Sequence, residues 1–270
     1  MTDKEALTLA WGAASDRGLR RQLNEDGYFA GGGAFFVADG MGGHAAGEVA
    51  SATALDALRS LSDIERVEPH HVETLLETAQ ERVRAIDTSG QGRGAGTTLT
   101  GAVVAYLDDM PYWLFVNVGD SRTYLLSRGV LDQVSVDHSE VQEMVDAGTL
   151  TAEEARNHPR RHVITRALGG RDDARADFRY IPIGAHDRIL VCSDGLTGEL
   201  TDTQITEIML GHPDPQVAAG RLVEAAIAAG GRDNITVIVV DATGVAQETA
   251  GSSTAPRGGF AADEDTLPRE

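Results

Sequence analysis

The sequence predicts an α+β fold in which helices cover mainly antiparallel sheets. Short apolar runs of strand length recur along the chain, and those in the middle are joined by turns such as Asp108-Asp109-Met110-Pro111 and Ser127-Arg128-Gly129. Segments of helical periodicity gather after the first strands and again before the last one. Parallel strands would need a long crossover between each pair, which turns of this length cannot supply. With 270 residues and 41% apolar content, the chain can bury one substantial core: one large domain, or a domain with a tail.

In chain order, strands are predicted near 8–14, 26–30 and 34–39, each an apolar run bounded by Gly, Asp or Asn. A helix over 45–60 follows, because Val49, Ala52, Thr53, Leu55, Asp56, Leu58 and Arg59 put apolar and polar residues on alternate faces at helical spacing. A second helix spans 69–87. Four strands come next, at 98–106, 112–118, 121–127 and 131–135. Helical pieces at 139–147 and 151–156 bracket Gly148, and strands return at 178–182 and 187–193. Thr201-Asp202 reads as the cap of a helix over 202–210, ahead of Ile205, Ile208 and Met209. A helix over 215–229 and a strand over 235–241 complete the domain, 1–241. From Ala242 to Glu270 the residues are mostly Gly, Ala, Ser, Thr, Pro and acid, which reads as a disordered tail. No internal repeat is present.

The net charge of −19 argues against a nucleic-acid backbone or an anionic membrane as partner. Residues 242–270 hold only five acids and two arginines, so most of that charge belongs to residues 1–241. A phosphorylated substrate stays compatible with it, since bound cations invert the local potential. No apolar stretch approaches the roughly 20 residues of a membrane span, and Met1-Thr2-Asp3-Lys4-Glu5 does not begin a secretory signal. The single cysteine, Cys192, lies inside an apolar strand and reads as a packed core thiol. A cytoplasmic monomer is the expectation.

Two apolar runs end in an Asp-Gly pair, Ala34–Gly40 and Arg188–Gly195, and a third begins with an acid, Asp233-Asn234. Taken singly, an Asp-Gly after a strand is an ordinary turn. Here both pairs leave strongly apolar runs beside small residues, so their carboxylates emerge at the rim of a sheet core. Clustered carboxylates call for a cation. Without Cys or His pairs at zinc-like spacing, oxygen ligation suits Mg²⁺ or Mn²⁺.

Eight segments then match one family in its own order. They are Ser15–Asp26, Val37–His44, Gly94–Leu99, Asn117–Arg122, Asp137–Ser139, His158–Gly169, Cys192–Leu196 and Gly231–Thr236. The chain resembles the metal-dependent PPM, or PP2C-type, protein serine/threonine phosphatases in their compact bacterial form. That resemblance implies a four-layer α-β-β-α sandwich with two metals between the sheets. Asp39 would bridge both, Asp194 and Asp233 would complete one coordination sphere, and the Gly40 carbonyl would join the other. Glu25 would hold metal-bound water, with Asp26 nearby. Many bacterial members hold a third metal between the positions of Asp120 and Asp194; otherwise Asp120 is a turn acid. The implied reaction is direct attack of a metal-bridged water on phosphoserine or phosphothreonine, without a nucleophilic side chain.

Arg21 matches the family's phosphate-binding arginine, with Arg20 adjacent; otherwise the two are a solvated surface pair. Eukaryotic members carry a histidine where this chain has Met41, so the leaving-group acid is open between His44 and water. Segment 137–166 is the expected flap, ending in Arg156, His158, Arg160, Arg161, His162 and Arg166. It is either a lid that attracts phosphorylated loops or a solvated charged face, and Thr165 and Arg166 could anchor it instead. The expected partners are phosphorylated proteins made by serine/threonine kinases. Two rivals differ: a catalytically silent binding module on the same fold, which should lack metal acids, and a phosphatase dedicated to one regulatory partner.

Overall fold

The computed structural model describes residues 7–42, 46–86, 94–107, 110–170 and 175–243. Eleven strands run in chain order: β1 (Thr8–Asp16), β2 (Asp26–Gly31), β3 (Ala34–Met41), β4 (Gly96–Thr97), β5 (Leu99–Leu107), β6 (Met110–Val118), β7 (Arg122–Ser127), β8 (Val130–Gln133), β9 (Asp177–Pro182), β10 (Arg188–Cys192) and β11 (Ile235–Thr243). The helices are α1 (Ala46–Leu58), α2 (Pro69–Arg84), α3 (Glu140–Asp146), α4 (Ala152–Arg156), α5 (Asp194–Thr197), α6 (Asp202–Gly211) and α7 (Pro215–Ala229).

One sheet has the order β1-β11-β10-β7-β8, the other β2-β3-β5-β6-β9 with β4 beside β3. All the pairings are antiparallel. Strand alternation sorts the side chains into three cores. Phe36 and Ala38 face α1 and α2; Leu190, Cys192, Val237 and Val239 face α5, α6 and α7; Phe35, Val37, Ile189, Val191, Ile238 and Val240 meet between the sheets. The layers are therefore helix, sheet, sheet, helix.

Local chemistry sets the helix starts. Thr201 accepts from the Gln204 N–H while Gln204 reaches back, and Asp214 caps α7 ahead of Pro215. Ser139 and Thr151 cap α3 and α4, and Gly148 between them sits at φ +68°, where a glycine is needed.

Several expectations need correction. The strand expected over 34–39 runs on to Met41, so Asp39 and Gly40 both lie within β3, and Gly40 pairs with Thr97. Asp194-Gly195 opens α5, a short helix absent from the sequence reading. Both glycines answer to close approach rather than to chain reversal. A Cβ at Gly40 would overlap the Gly47 carbonyl of α1, and one at Gly195 would overlap the Asn234 carbonyl. Met110 and Pro111, read as turn, begin β6; Asp108 and Asp109 lie outside the described residues. β11 continues through Ala242, which is buried, to Thr243, two residues past the expected domain end. The rest of the expected tail lies outside the described residues.

Candidate active site

Alternation continues past the core and carries acids into the space between the sheets. Asp39 has the parity of Phe35 and Val37, and Asp26 that of Ala30, which packs on the inter-sheet core. Asp26 and Asp39 are direct partners in the β2–β3 register. From the other sheet, Ser193 Oγ donates to Asp26 Oδ2 at 2.7 Å. Asp194 follows at the end of β10, and Asp233 precedes β11. Asp120 sits between β6 and β7 at this same end, beside Ser121, whose hydroxyl is 2.7 Å from Thr98 Oγ1.

The backbone of Asp39 is held tightly. Its N–H donates to Thr98 Oγ1 at 3.0 Å, and its carbonyl accepts from Thr98 N at 2.9 Å and Thr97 Oγ1 at 3.0 Å. Glu25 lies against the start of α1, where a Cβ on Gly47 would overlap its Oε1. Ser51 Oγ and the Gly40 N–H both donate to the Glu25 carbonyl. Of the adjacent arginines, Arg21 turns to the acids: its Nη2 donates to Asp233 Oδ2 at 2.6 Å, with the side chain about half exposed.

Electrostatics make one unit of the acids. Burial, and then the charges of Asp26, Asp194, Asp120 and Asp233, hold the Asp39 carboxyl well above the ordinary range. Burial, then Asp194 and Asp137, do the same to Asp120. Asp26 is pushed up to about 7 by burial, with its Ser193 bond opposing and Asp194 and Asp233 adding. Burial also raises Glu25, against the Arg21 charge. Glu25 Oε1 and Asp26 Oδ1 are buried without a hydrogen-bond partner.

Among the described residues, no three His, Cys, Asp or Glu side chains are placed close enough together to hold a metal ion by themselves. Hard divalent cations fit an open arrangement, because they bind through one or two carboxylates each and keep several waters. Mutually repelling carboxylates and buried oxygens without partners are the donor chemistry such ions need. The residues present therefore fit Mg²⁺ or Mn²⁺.

A cleft of about 170 Å³ adjoins Asp194 and Asp233 and is walled by Arg161, His162, Glu199 and Arg232. Arg232 is bound to Glu199 by both Nε and Nη2. His162 Nδ1 stands 3.8 Å from Asp194 Oδ2. Thr165 N donates to the His138 carbonyl at 2.8 Å, joining the two ends of the flap, and Arg166 Nη1 ties it to β9 through Asp177 at 3.0 Å. His138 Nδ1 accepts from Gly119 N at 3.1 Å, and its Nε2 lies 3.0 Å from Asp177 Oδ2 and 3.2 Å from Arg166 Nη1. That clamp holds the residue directly before Asp120.

Cys192 is buried on the helix face of its strand, and burial pushes its thiol up, so it is no nucleophile. His44 lies outside the described residues. The sequence reading missed Thr97, Thr98, Ser193 and Asn234 as organisers of the site. Their signal was a hydroxyl or amide at a buried strand end, where it must find a partner.

The sequence pattern of the family described as Protein phosphatase 2C matches residues 19–223. The serine/threonine protein phosphatase PstP of Mycobacterium tuberculosis is 42% identical over 243 residues, spanning 87% of this chain and 45% of that protein. The chain thus spans about half the length of that relative. Serine/threonine phosphatase stp of Listeria monocytogenes is 37% identical over 243 residues, spanning 84% of this chain and 93% of that protein. Among solved structures, the catalytic domain of PstP in complex with two manganese ions superposes with a TM-score of 0.80 at 39% identity. It covers 88% of this chain and all of that one.

Proposed function

The chain belongs to the protein phosphatase 2C family, and from that membership we propose that it hydrolyses phosphoserine and phosphothreonine esters of proteins with bound Mn²⁺ or Mg²⁺. The observation that carries this reading is the shared negative field of Asp26, Asp39, Asp120, Asp194 and Asp233, drawn from both sheets to one end of the space between them. In our assignment Asp39, the Gly40 carbonyl, Asp194 and Asp233 would hold two cations between them. Asp120 and Asp194 are assigned to a third ion, and Glu25 and Asp26 to ordering water around the first two. When bound, the cations supply relief of phosphoryl charge and a water acidic enough to attack at neutral pH.

The rest of the reading concerns the chain's own groups. Arg21 carries paired donors at the mouth of the site, and a guanidinium grips two phosphoryl oxygens at once, orienting the ester. The apolar inter-sheet core behind the acids excludes bulk water and strengthens each electrostatic contact. His44 and water remain the candidates for protonating the leaving serine oxygen. All the acids a silent binding module would be expected to lack are present, and the relatives carry phosphatase names. The proposal includes substrates made by serine/threonine kinases and a monomer acting in the cytoplasm; among the described residues, no helix is long and apolar enough to cross a membrane.

The test is hydrolysis of a phosphothreonine peptide with Mn²⁺, Mg²⁺ and chelator. Turnover should vanish in excess EDTA and return with Mn²⁺. Activity that persists in EDTA would overturn the metal-dependent reading.

A further inference from the structure

We propose that Asn234 is the positioning residue that sets the phosphate-gripping Arg21, by stapling the irregular segment 17–25 to the start of β11. The proposal rests on the phosphatase reading above.

The Asn234 side chain is buried, and its amide is fully used. Oδ1 accepts from Glu25 N at 2.9 Å, and Nδ2 donates to the carbonyls of Arg17 and Leu23, each at 2.9 Å. A primary amide offers two N–H donors and a carbonyl, so one side chain satisfies backbone groups at both ends of the segment. These three bonds bracket Arg21.

The segment has further hydrogen bonds near its two ends: Gly18 N donates to Asp16 Oδ1, Arg17 Nη1 to the Gln22 carbonyl, Asn24 Nδ2 to Ser15 Oγ, and Gly40 N and Ser51 Oγ to the Glu25 carbonyl. Its two leucines point outward, Leu19 65% and Leu23 47% exposed, so no apolar side chain anchors the loop. Between those ends, a backbone tie falls on the same strand entrance: Leu19 N donates to the Gly231 carbonyl at 2.7 Å. Gly18, at φ +73°, lets the chain press against the Asp233 carbonyl, which a Cβ there would overlap. The loop bearing Arg21 is therefore indexed, by hydrogen bonds, to the strand entrance bearing Asp233. A guanidinium half exposed to water holds its aim only if its backbone is held.

Loss of the staple should act through Arg21, and a double-mutant cycle reads that directly. With p-nitrophenyl phosphate and Mn²⁺, Asn234→Ala should raise KM, and the inhibition constant for inorganic phosphate, about 10-fold, with kcat within about 3-fold of wild type. Arg21→Ala should raise both constants at least as far, and the double variant should be no worse than Arg21→Ala alone. In chelator, hydrogen exchange across 17–25 should quicken at least about 10-fold in Asn234→Ala, while the strands keep their protection. Fold-changes that multiply in the double variant, or an unchanged KM in a folded Asn234→Ala protein, would overturn the proposal. If Asn234→Ala does not fold, Asn234→Asp decides by the same cycle, since it keeps the acceptor for Glu25 N and loses both donors. A wild-type chain inert toward p-nitrophenyl phosphate and phosphopeptides in Mn²⁺ would instead overturn the phosphatase reading. The exchange measurement would still show whether the staple holds the segment.

Discussion

Replacing Asp39 by Asn should stabilise the metal-free protein while abolishing its proposed activity. The hydrogen bonds of Asp39 run through its backbone, to Thr97 and Thr98, and a near-isosteric amide keeps them. What the substitution removes is a buried charge facing Asp26, Asp194, Asp120 and Asp233. Asp26 sets the scale: its carboxyl is pushed up to about 7 from an ordinary 3.8. At about 1.4 kcal/mol per pH unit, one such group costs the metal-free fold on the order of 4 kcal/mol at neutral pH. The sign follows from the direction of the shift. A carboxyl raised in the folded state carries no penalty below its unfolded value; the penalty grows as pH climbs from there and is complete above the folded value. Asp39→Asn should therefore gain about 2–4 kcal/mol in EDTA at pH 7.5, roughly 4–16 °C for a domain of this size. The gain should shrink toward pH 5. Excess Mn²⁺ should reverse the order, because cation binding stabilises the wild type more. Thermal melts at the two pH values, with EDTA or Mn²⁺, read all four conditions. A variant that melts at or below wild type in EDTA at pH 7.5 would refute the reasoning, as would a gap that does not narrow toward pH 5.

Two further substitutions separate the scaffold from the site. Gly40→Ala should cost more than about 3 kcal/mol and abolish turnover, since its methyl group would overlap the Gly47 carbonyl and separate β3 from α1; a denaturant titration with wild-type stability would contradict this. Arg188 binds both oxygens of Asp241, at 2.6 and 2.7 Å, and donates to the carbonyls of Met209 within α6 and of His212 and Pro213 after it. Arg188→Met should lose about 3–5 kcal/mol by stranding the Asp241 carboxylate, while retaining near wild-type turnover well below its melting temperature.

Much of the architecture was legible because strand and helix periodicities are local. The predicted elements recur within a few residues of the observed ones, and Thr201 and Asp214 show why two helices begin where they do. The short helix α5 escaped notice because four residues carry no periodicity. The Asp-Gly pairs were ambiguous for a related reason: a glycine kept for a close approach reads the same as one kept for a turn. Only the folded positions of Gly47, on α1, and of Asn234, before β11, distinguish the two.

The identities of the acids, their places at the ends of apolar runs and their family order are properties of the sequence alone. So is the preference for oxygen ligation over thiolate or imidazole. Tertiary structure decided which acids share a field, because Asp26 and Asp39 come from one sheet and Asp194 and Asp233 from the other. It also set Arg21 rather than Arg20 against Asp233, and brought Asn234 to Arg17, Leu23 and Glu25 across more than 200 residues of chain. Hydrogen bonds and Coulomb interactions depend on distance in space, and distance in space is settled only once the two sheets have packed.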